Sequence, residues 1–175
     1  MSACHRQDLL LQAAARFPER AFLFQDEAVI TYAQAALKVD HIASGLLAQG
    51  VRPGDRVLLV LENRLELPLL TLAATRIGAV FSVLTAQITA ESFQRIVGQC
   101  EPALVVVEAR RTELRAGLKS RVVWLDGVPA GFEGSDLSFE SLETSALTTL
   151  PPSPGGDALA FLVFTSGSTG MPRGV

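Results

Sequence analysis

Short apolar runs alternate with segments of helical pattern through the middle of the chain, and this alternation most constrains the fold. The runs cover residues 56–61, 79–84, 103–107 and 122–125. Strands that are apolar on both faces are typical of a parallel sheet that is covered by helices on both sides. The pattern therefore predicts an α/β fold, in which alternating strands and helices form a largely parallel sheet with right-handed crossovers.

Cap signals define the ends of the predicted helices. Thr31 and Gln34 have the spacing of a capping box, so we expect a helix from Thr31 to about Gln49, with Gly50 as its left-handed stop. The remaining predicted elements are an amphipathic first helix within residues 1–16, helices over 62–78, from 89 onward and over 110–120, and loops over 127–135 and 148–157.

Composition excludes several classes of protein. With 175 residues, 49% of them hydrophobic, the chain is long and apolar enough to build a core. A net charge of −3 without a basic stripe gives no support for nucleic-acid binding. Pro68, Arg76 and Gly78 interrupt the longest apolar region, so no membrane span is predicted. Two cysteines suit a reducing compartment, and we expect a cytoplasmic protein.

Other candidate chemistry is sparse. The two histidines, His5 and His41, have no neighbours at metal-ligand spacing, so no metal site is predicted. The charges at 62–66 are interpreted as a solvated helix face. A group of five cations either attracts an anion such as a CoA phosphate or forms an exposed basic helix: Arg110, Arg111, Arg115, Lys119 and Arg121.

Residues 165–174 form the strongest candidate for a ligand-binding loop. Glycines allow close approach of the backbone to a ligand, successive amides form an anion nest, and a cation offsets phosphate charge. The apolar run 158–164 precedes the loop and is predicted to be a buried strand, so the loop is expected at its carboxyl end. A flexible linker is the alternative. The candidate phosphate-binding residues are Thr165, Ser166, Gly167, Ser168, Thr169, Gly170, Arg173 and Gly174.

The order of these residues resembles the phosphate loop of the adenylate-forming superfamily, whose pattern is T-S-G-S/T-T-G-x-P-K-G. That superfamily includes acyl-CoA synthetases, luciferases and the adenylation domains of nonribosomal peptide synthetases. Arg173 stands where the pattern has lysine, which keeps the charge but changes its shape. Residues 54–57, 62–63, 76–80 and 100–103 are also similar to the amino-terminal part of acyl-CoA synthetases, whereas 83–85 depart from the usual Pro-Leu-Asn.

The resemblance implies activation of a carboxylic acid by ATP, followed by transfer of the acyl group to a thiol. ATP, Mg²⁺ and the thiol of CoA or of a carrier-protein pantetheine are the implied cofactors and partners. Residues 1–175 are expected to be an incomplete amino-terminal portion of an AMP-binding domain. The rest of the large domain, the small mobile domain and the catalytic residues are expected beyond Val175, and this chain alone is expected to be inactive.

Two alternatives stay open beside an acyl-CoA synthetase. One is an amino-acid-activating adenylation domain of a nonribosomal peptide synthetase. Residues 76–81 resemble acyl-CoA synthetases more than the Lys-Ala-Gly-x-Ala-Tyr that is usual in such adenylation domains. The other alternative is a non-catalytic, truncated interaction module with a Ser/Gly-rich tail.

Overall fold

The computed structural model describes residues 6–152, 154–155, 157–166 and 172–174, with side chains described between residues 9 and 164 of these ranges. The α-helices are Arg6–Arg16 (α1), Tyr32–Ala48 (α2), Glu66–Arg76 (α3), Ala90–Cys100 (α4) and Phe139–Glu143 (α5), and Thr112–Arg115 is a 3₁₀ helix. The strands are Ala21–Gln25 (β1), Ala28–Thr31 (β2), Arg56–Val60 (β3), Val80–Leu84 (β4), Leu104–Glu108 (β5), Arg121–Leu125 (β6), Leu137–Ser138 (β7), Phe164–Ser166 (β8) and Pro172–Gly174 (β9).

Five of these strands form the central sheet, in the order β4-β3-β5-β6-β7, and every pairing in it is parallel. The β1–β2 hairpin and the β8–β9 hairpin are separate antiparallel pairs. The prediction of a largely parallel α/β fold is confirmed. The β1–β2 hairpin, β7 and α5 were not predicted from the sequence.

Two apolar cores lie on opposite faces of the sheet, which explains why its central strands are apolar along their whole length. Val57, Leu59 and Val106 belong to the core that contains residues of α1, α2, α3 and α5. Leu58 and Trp124 belong to the core that contains residues of α4 and the 3₁₀ helix. Successive side chains of a strand point to opposite faces, so each of the strands β3 to β6 contributes to both cores.

The predicted ends of α2 are confirmed. Thr31 Oγ1 accepts a hydrogen bond from the Gln34 amide at 3.3 Å, and Gln34 Oε1 accepts one from the Thr31 amide at 2.9 Å. These two bonds form the capping box. The helix ends at Ala48, and Gly50 has a φ of 91°, in the left-handed region that favours glycine.

Two predicted helices are shorter in the structure. The helix expected from residue 62 begins at Glu66, because residues 62 and 64 are held in polar contacts at the ends of the strands, as described below. The helix expected over 110–120 is reduced to the single turn Thr112–Arg115. Gly117, with a φ of 74°, turns the chain out of helical geometry soon after it.

The prediction that residues 158–164 form a buried strand is wrong. The segment makes one parallel bridge to the central sheet, between Phe161 and Phe81, and Leu159 is 59% exposed. Two hydrogen bonds hold the bridge, from the Phe81 amide to the Ala160 carbonyl at 3.1 Å and from the Leu162 amide to the Phe81 carbonyl at 2.9 Å. The segment lies next to β4, the strand at the edge of the central sheet. Its side chains Leu159, Phe161 and Val163 are left exposed by the described residues.

Candidate functional site

The two flanks of the loop at 165–174 pair with each other as the β8–β9 hairpin. The backbone places Thr165 opposite Arg173 and Ser166 opposite Pro172. Phe164 pairs with Gly174 at the open end of the hairpin. The structure therefore brings together the backbone at four of the predicted positions. The other four, Gly167, Ser168, Thr169 and Gly170, lie outside the described residues.

The base of this hairpin lies beside the last turn of α4. Phe164 packs against the core on the α4 face, and it lines a cleft of about 350 Å³ together with Leu162, Arg56, Gln99 and Cys100. Burial raises the pKa of the Cys100 thiol, which keeps the group neutral. Cys100 is a buried side chain of the core on the α4 face.

Arg56, which lines the same cleft, is engaged by the end of α4. Its Nε donates to the Cys100 carbonyl at 2.6 Å, and its Nη2 donates to the Glu101 carbonyl at 3.1 Å. Carbonyl groups in the last turn of a helix lack helical partners, and a cation there also complements the helix dipole. This arginine thus joins the start of β3 to the end of α4.

A second polar cluster joins the carboxyl ends of β3 and β5. Glu108 is 4% exposed; one of its oxygens accepts from the Glu62 amide at 3.0 Å and the other from Arg110 Nε at 2.8 Å. Arg110 Nη2 also donates to Glu62 Oε1 at 2.6 Å. These hydrogen bonds, first from Glu62 and then from Glu108, raise the pKa of Arg110. The prediction that residue 62 lies on a helix is wrong, because α3 begins at Glu66, but its side chain is exposed as expected.

Arg64 forms the most extensive ion pairing at this edge of the sheet. It donates to both oxygens of Asp126 at 2.9 Å, and to Glu66 at 2.8 and 3.0 Å. The hydrogen bonds to Asp126 and then Glu66 raise the pKa of Arg64, and the same arginine lowers the pKa of Asp126. Burial acts to raise the pKa of Glu66, but the hydrogen bond and charge of Arg64 lower it overall.

The predicted basic helix is largely an ion-paired surface. Arg111 donates to Glu113 at 2.5 Å and to the Ile88 carbonyl at 2.6 Å. Arg115 pairs with Asp136 at 2.8 Å. With Arg110, three of the five cations therefore have partners within the protein. These partners lie at separations from two to 48 residues, so charge pattern alone could not identify them.

Two other kinds of site are absent from the part of the chain that the structure describes. No group of three His, Cys, Asp or Glu side chains is placed to hold a metal ion there. None of the helices described there has the length and apolar character needed to cross a membrane. His41, for which the sequence predicts no metal site, lies with its Nδ1 2.7 Å from the Ser145 carbonyl oxygen, which is a structural contact.

The fold and the loop define a parallel α/β protein whose sheet is followed by a hairpin rich in glycine and hydroxyl residues. The sequence profile of the family described as "AMP-binding enzyme" matches residues 10–175. The chain therefore belongs to the AMP-binding enzyme family.

Curated relatives include proteins with both kinds of thiol acceptor in their names. The chain is 34% identical over 182 residues to a probable CoA ligase of Humulus lupulus, with 95% of this chain and 33% of that protein covered. It is 29% identical over 172 residues to an L-proline–[L-prolyl-carrier protein] ligase of Pseudomonas fluorescens, with the same shares covered. Among the first relatives found, the chain spans 33% or less of their length.

Solved structures of similar fold include a putative long-chain-fatty-acid CoA ligase from Rhodopseudomonas palustris. Its TM-score is 0.83 at 26% identity, and the match covers 96% of this chain and 42% of that one. An anthranilate CoA ligase in complex with anthranoyl-AMP has a TM-score of 0.87 at 20% identity, with 97% and 33% covered. The second likeness concerns the fold alone.

Proposed function

We propose that this chain is the phosphate-binding part of an ATP-dependent, carboxylic acid-activating ligase. Family membership supports the reaction class, since relatives are named as CoA ligases and carrier-protein ligases. The observation that carries the proposal for the loop is the order of glycine and hydroxyl residues in its sequence, together with the pairing of its two flanks. A hairpin with such a sequence offers backbone amides and hydroxyls to one ligand.

In this proposal, different groups of the loop bind different parts of a polyphosphate. Amides at Gly167, Gly170 and their neighbours bind phosphate oxygens, and Arg173 offsets the charge that develops on the leaving pyrophosphate. The hydroxyls complete the donor set: Thr165, Ser166, Ser168 and Thr169. Hydroxyl and phosphate oxygens are hard ligands that suit Mg²⁺, which neutralises phosphate charge when it is bound.

The proposed reaction has two balanced steps. The substrate carboxylate attacks the α-phosphorus of ATP, the bond to the β-phosphate oxygen breaks, and acyl-adenylate and pyrophosphate form. A thiol then attacks the acyl carbon, loses its proton and displaces AMP, which leaves a thioester. The groups that bind the acid and complete catalysis belong in this proposal to residues beyond 1–175, because the chain spans a third or less of its relatives.

An acyl-CoA synthetase-like ligase is the preferred form of the proposal. Residues 76–80, which end α3 and begin β4, carry the acyl-CoA synthetase-like sequence. An amino-acid-activating adenylation domain is the second candidate, favoured by the match to a carrier-protein ligase. Pyrophosphate release measured with fatty, aryl and amino acids separates the two. Turnover of amino acids alone would overturn the preference for an acyl-CoA synthetase.

Location and partners follow from the same proposal. A cytoplasmic ligase has access to ATP and to CoA or a carrier protein, and the buried free thiol of Cys100 suits a reducing compartment. The net charge of −3 and the ion pairing of Arg110, Arg111 and Arg115 argue against a nucleic-acid partner.

ATP binding by the full-length protein tests the role of the loop. Gly167→Val and Arg173→Ala should each weaken ATP binding by about tenfold, since each removes a close approach or a charge-assisted bond. Gly98→Ala and Arg95→Ala are matched controls in α4, where a Cβ at Gly98 meets no atom within 4 Å. Unchanged ATP affinity in both loop variants would overturn the phosphate-binding role of the loop, and an absence of ATP binding by the wild type would favour the non-catalytic interaction module.

A further inference from the structure

An open cleft of about 490 Å³ lies at the amino-terminal edge of β5 and β6, between α4 and the turn at 117–121. Val97 and Pro102 supply apolar lining, and Lys119 and Arg121 supply cations. Its volume falls within the range of small-molecule sites, about 300–1,000 Å³, and mixed apolar and polar lining is typical of them.

The two cations of this cleft differ from their neighbours in the basic segment. Arg110, Arg111 and Arg115 pair with carboxylates of the protein. The side chains of Lys119 and Arg121 have no hydrogen bond or ion pair within the described residues. These two positive charges are therefore available to a ligand.

One carboxylate, that of Glu101, also lines the cleft. Glu101 caps the end of α4 in the left-handed conformation, with a φ of 43°. Arg56 binds the Cys100 and Glu101 carbonyls, so the negative end of the helix is already offset. Two cations against one carboxylate leave the cleft net positive, and the carboxylate moderates its affinity for anions.

Open space lies beside two glycines of the cleft lining, Gly98 and Gly117. A Cβ at Gly98 or at Gly117 would meet no atom within 4 Å, so space lies beyond both positions. Gly98 is inside α4, where alanine is the better helix former. A longer side chain at Gly98 would take up space in the cleft without a change of charge.

We propose that this cleft binds a small organic anion, whose carboxylate or phosphate pairs with Lys119 and Arg121 while its apolar part lies against Val97 and Pro102. Carboxylate and phosphate groups both present two or more oxygens that share negative charge, and the two cations can pair with either. This ligand is additional to the ATP of the proposed function, and its site does not depend on the loop at 165–174.

Calorimetric titration of the full-length protein tests the cleft with three matched probes: phenyl phosphate, 3-phenylpropanoate and the neutral 3-phenylpropanamide. At least one of the two anions should bind, and the difference in their affinities shows whether the cleft prefers phosphate or carboxylate. The combined change Lys119→Gln and Arg121→Gln should weaken that anion by about tenfold, whereas Glu101→Gln should tighten it about twofold. The amide should show no dependence on these residues.

A second pair of variants tests the location without a change of charge. Gly98→Leu should weaken the anion by about tenfold through occupation of the cleft, and Gly98→Ala should leave its affinity unchanged. Circular dichroism of each variant confirms folding. The proposal is overturned if each anion binds the wild type and the Lys119/Arg121 double variant with the same affinity. It is also overturned if the amide binds the wild type as tightly as the anions do.

Discussion

Arg115 donates to both carboxylate oxygens of Asp136, from Nε at 2.8 Å and from Nη2 at 3.0 Å. Asp136 is only 8% exposed, and the Trp124 indole nitrogen donates to its Oδ2 at 3.0 Å. The pair connects the 3₁₀ helix to the end of the long turn that follows β6. A buried carboxylate in this position requires its cation, because desolvation of an unpaired charge is costly.

Arg115→Leu is therefore expected to lower the free energy of unfolding by about 3 kcal/mol, the typical cost of removing one partner of a buried ion pair. Urea unfolding of the full-length protein measures the change. Arg95→Leu is the control, because Arg95 pairs with Glu91 on the exposed surface of α4, and it should cost less than about 0.5 kcal/mol. Equal losses in the two variants would contradict the buried role of the Arg115 pair.

Gly45 and Gly98 are expected to respond in opposite directions to alanine. A Cβ at Gly45 would lie 2.9 Å from the Leu142 Cα and 2.8 Å from the Ser145 Oγ, where α2 packs against α5. Gly45→Ala should therefore cost about 1–3 kcal/mol through overpacking. Gly98→Ala should be neutral or stabilise by up to about 1 kcal/mol, because it meets no atom and favours the helix. Thermal unfolding of both variants provides the comparison, and a stabilising Gly45→Ala would refute the close approach of the two helices.

The ion pairs of Arg64 should make part of the stability dependent on acid pH. Arg64 lowers the pKa of Asp126 and Glu66 below their ordinary values of 3.8 and 4.5. A carboxylate whose pKa is lowered on folding stabilises the fold at pH values above its ordinary pKa. This stabilisation is lost as the pH falls through the lowered pKa of the folded state. Arg64→Gln should therefore cost about 1 kcal/mol near neutral pH, a modest value since the Asp126 side chain is 56% exposed.

The difference in stability between wild type and Arg64→Gln should shrink as the pH falls below 4.5. Urea unfolding at a series of pH values measures it. Arg121→Gln serves as the control, because Arg121 has no ion pair within the described residues, and its effect should not change in this window. A constant cost of Arg64→Gln down to the lowest pH would show that the carboxylates do not contribute through Arg64.

Arg173→Lys tests the departure from the superfamily pattern. Because the positive charge is kept, ATP affinity should stay within about threefold of the wild type, whereas Arg173→Ala should lose about tenfold. Equilibrium ATP binding by the full-length protein makes the measurement. Equal affinities in all three proteins would mean that Arg173 does not contact the phosphates.

Elements defined by neighbouring residues could be predicted from the sequence. The capping box of Thr31 and Gln34 lies within four residues, and both bonds form as the spacing indicates. Thr89 likewise begins α4, with its side chain accepting from the Ser92 amide. The central strands were also predictable, because their apolar character reflects burial on both faces of the sheet.

Charged residues were the part of the candidate site that local pattern misjudged. Arg110 finds Glu62 across 48 residues, and Arg115 finds Asp136 across 21. These partners meet only because neighbouring strands end at the same edge of the sheet, or because a turn returns the chain to it. Spacing along the sequence gives no information about such meetings, so the interpretations of an exposed basic helix at 110–120 and a solvated helix face at 62–66 missed these ion pairs.

The sequence by itself determined the α/β class, the ends of α2, the central strands and the motif that predicted the family, because each depends on residues close together in the chain. Tertiary structure alone decided which charges are neutralised, why Lys119 and Arg121 remain available, and why Leu159, Phe161 and Val163 lie exposed beside β4. The physical reason is that strand order and packing choose the partners of distant side chains, and a hydrophobic run is buried only where another element covers it.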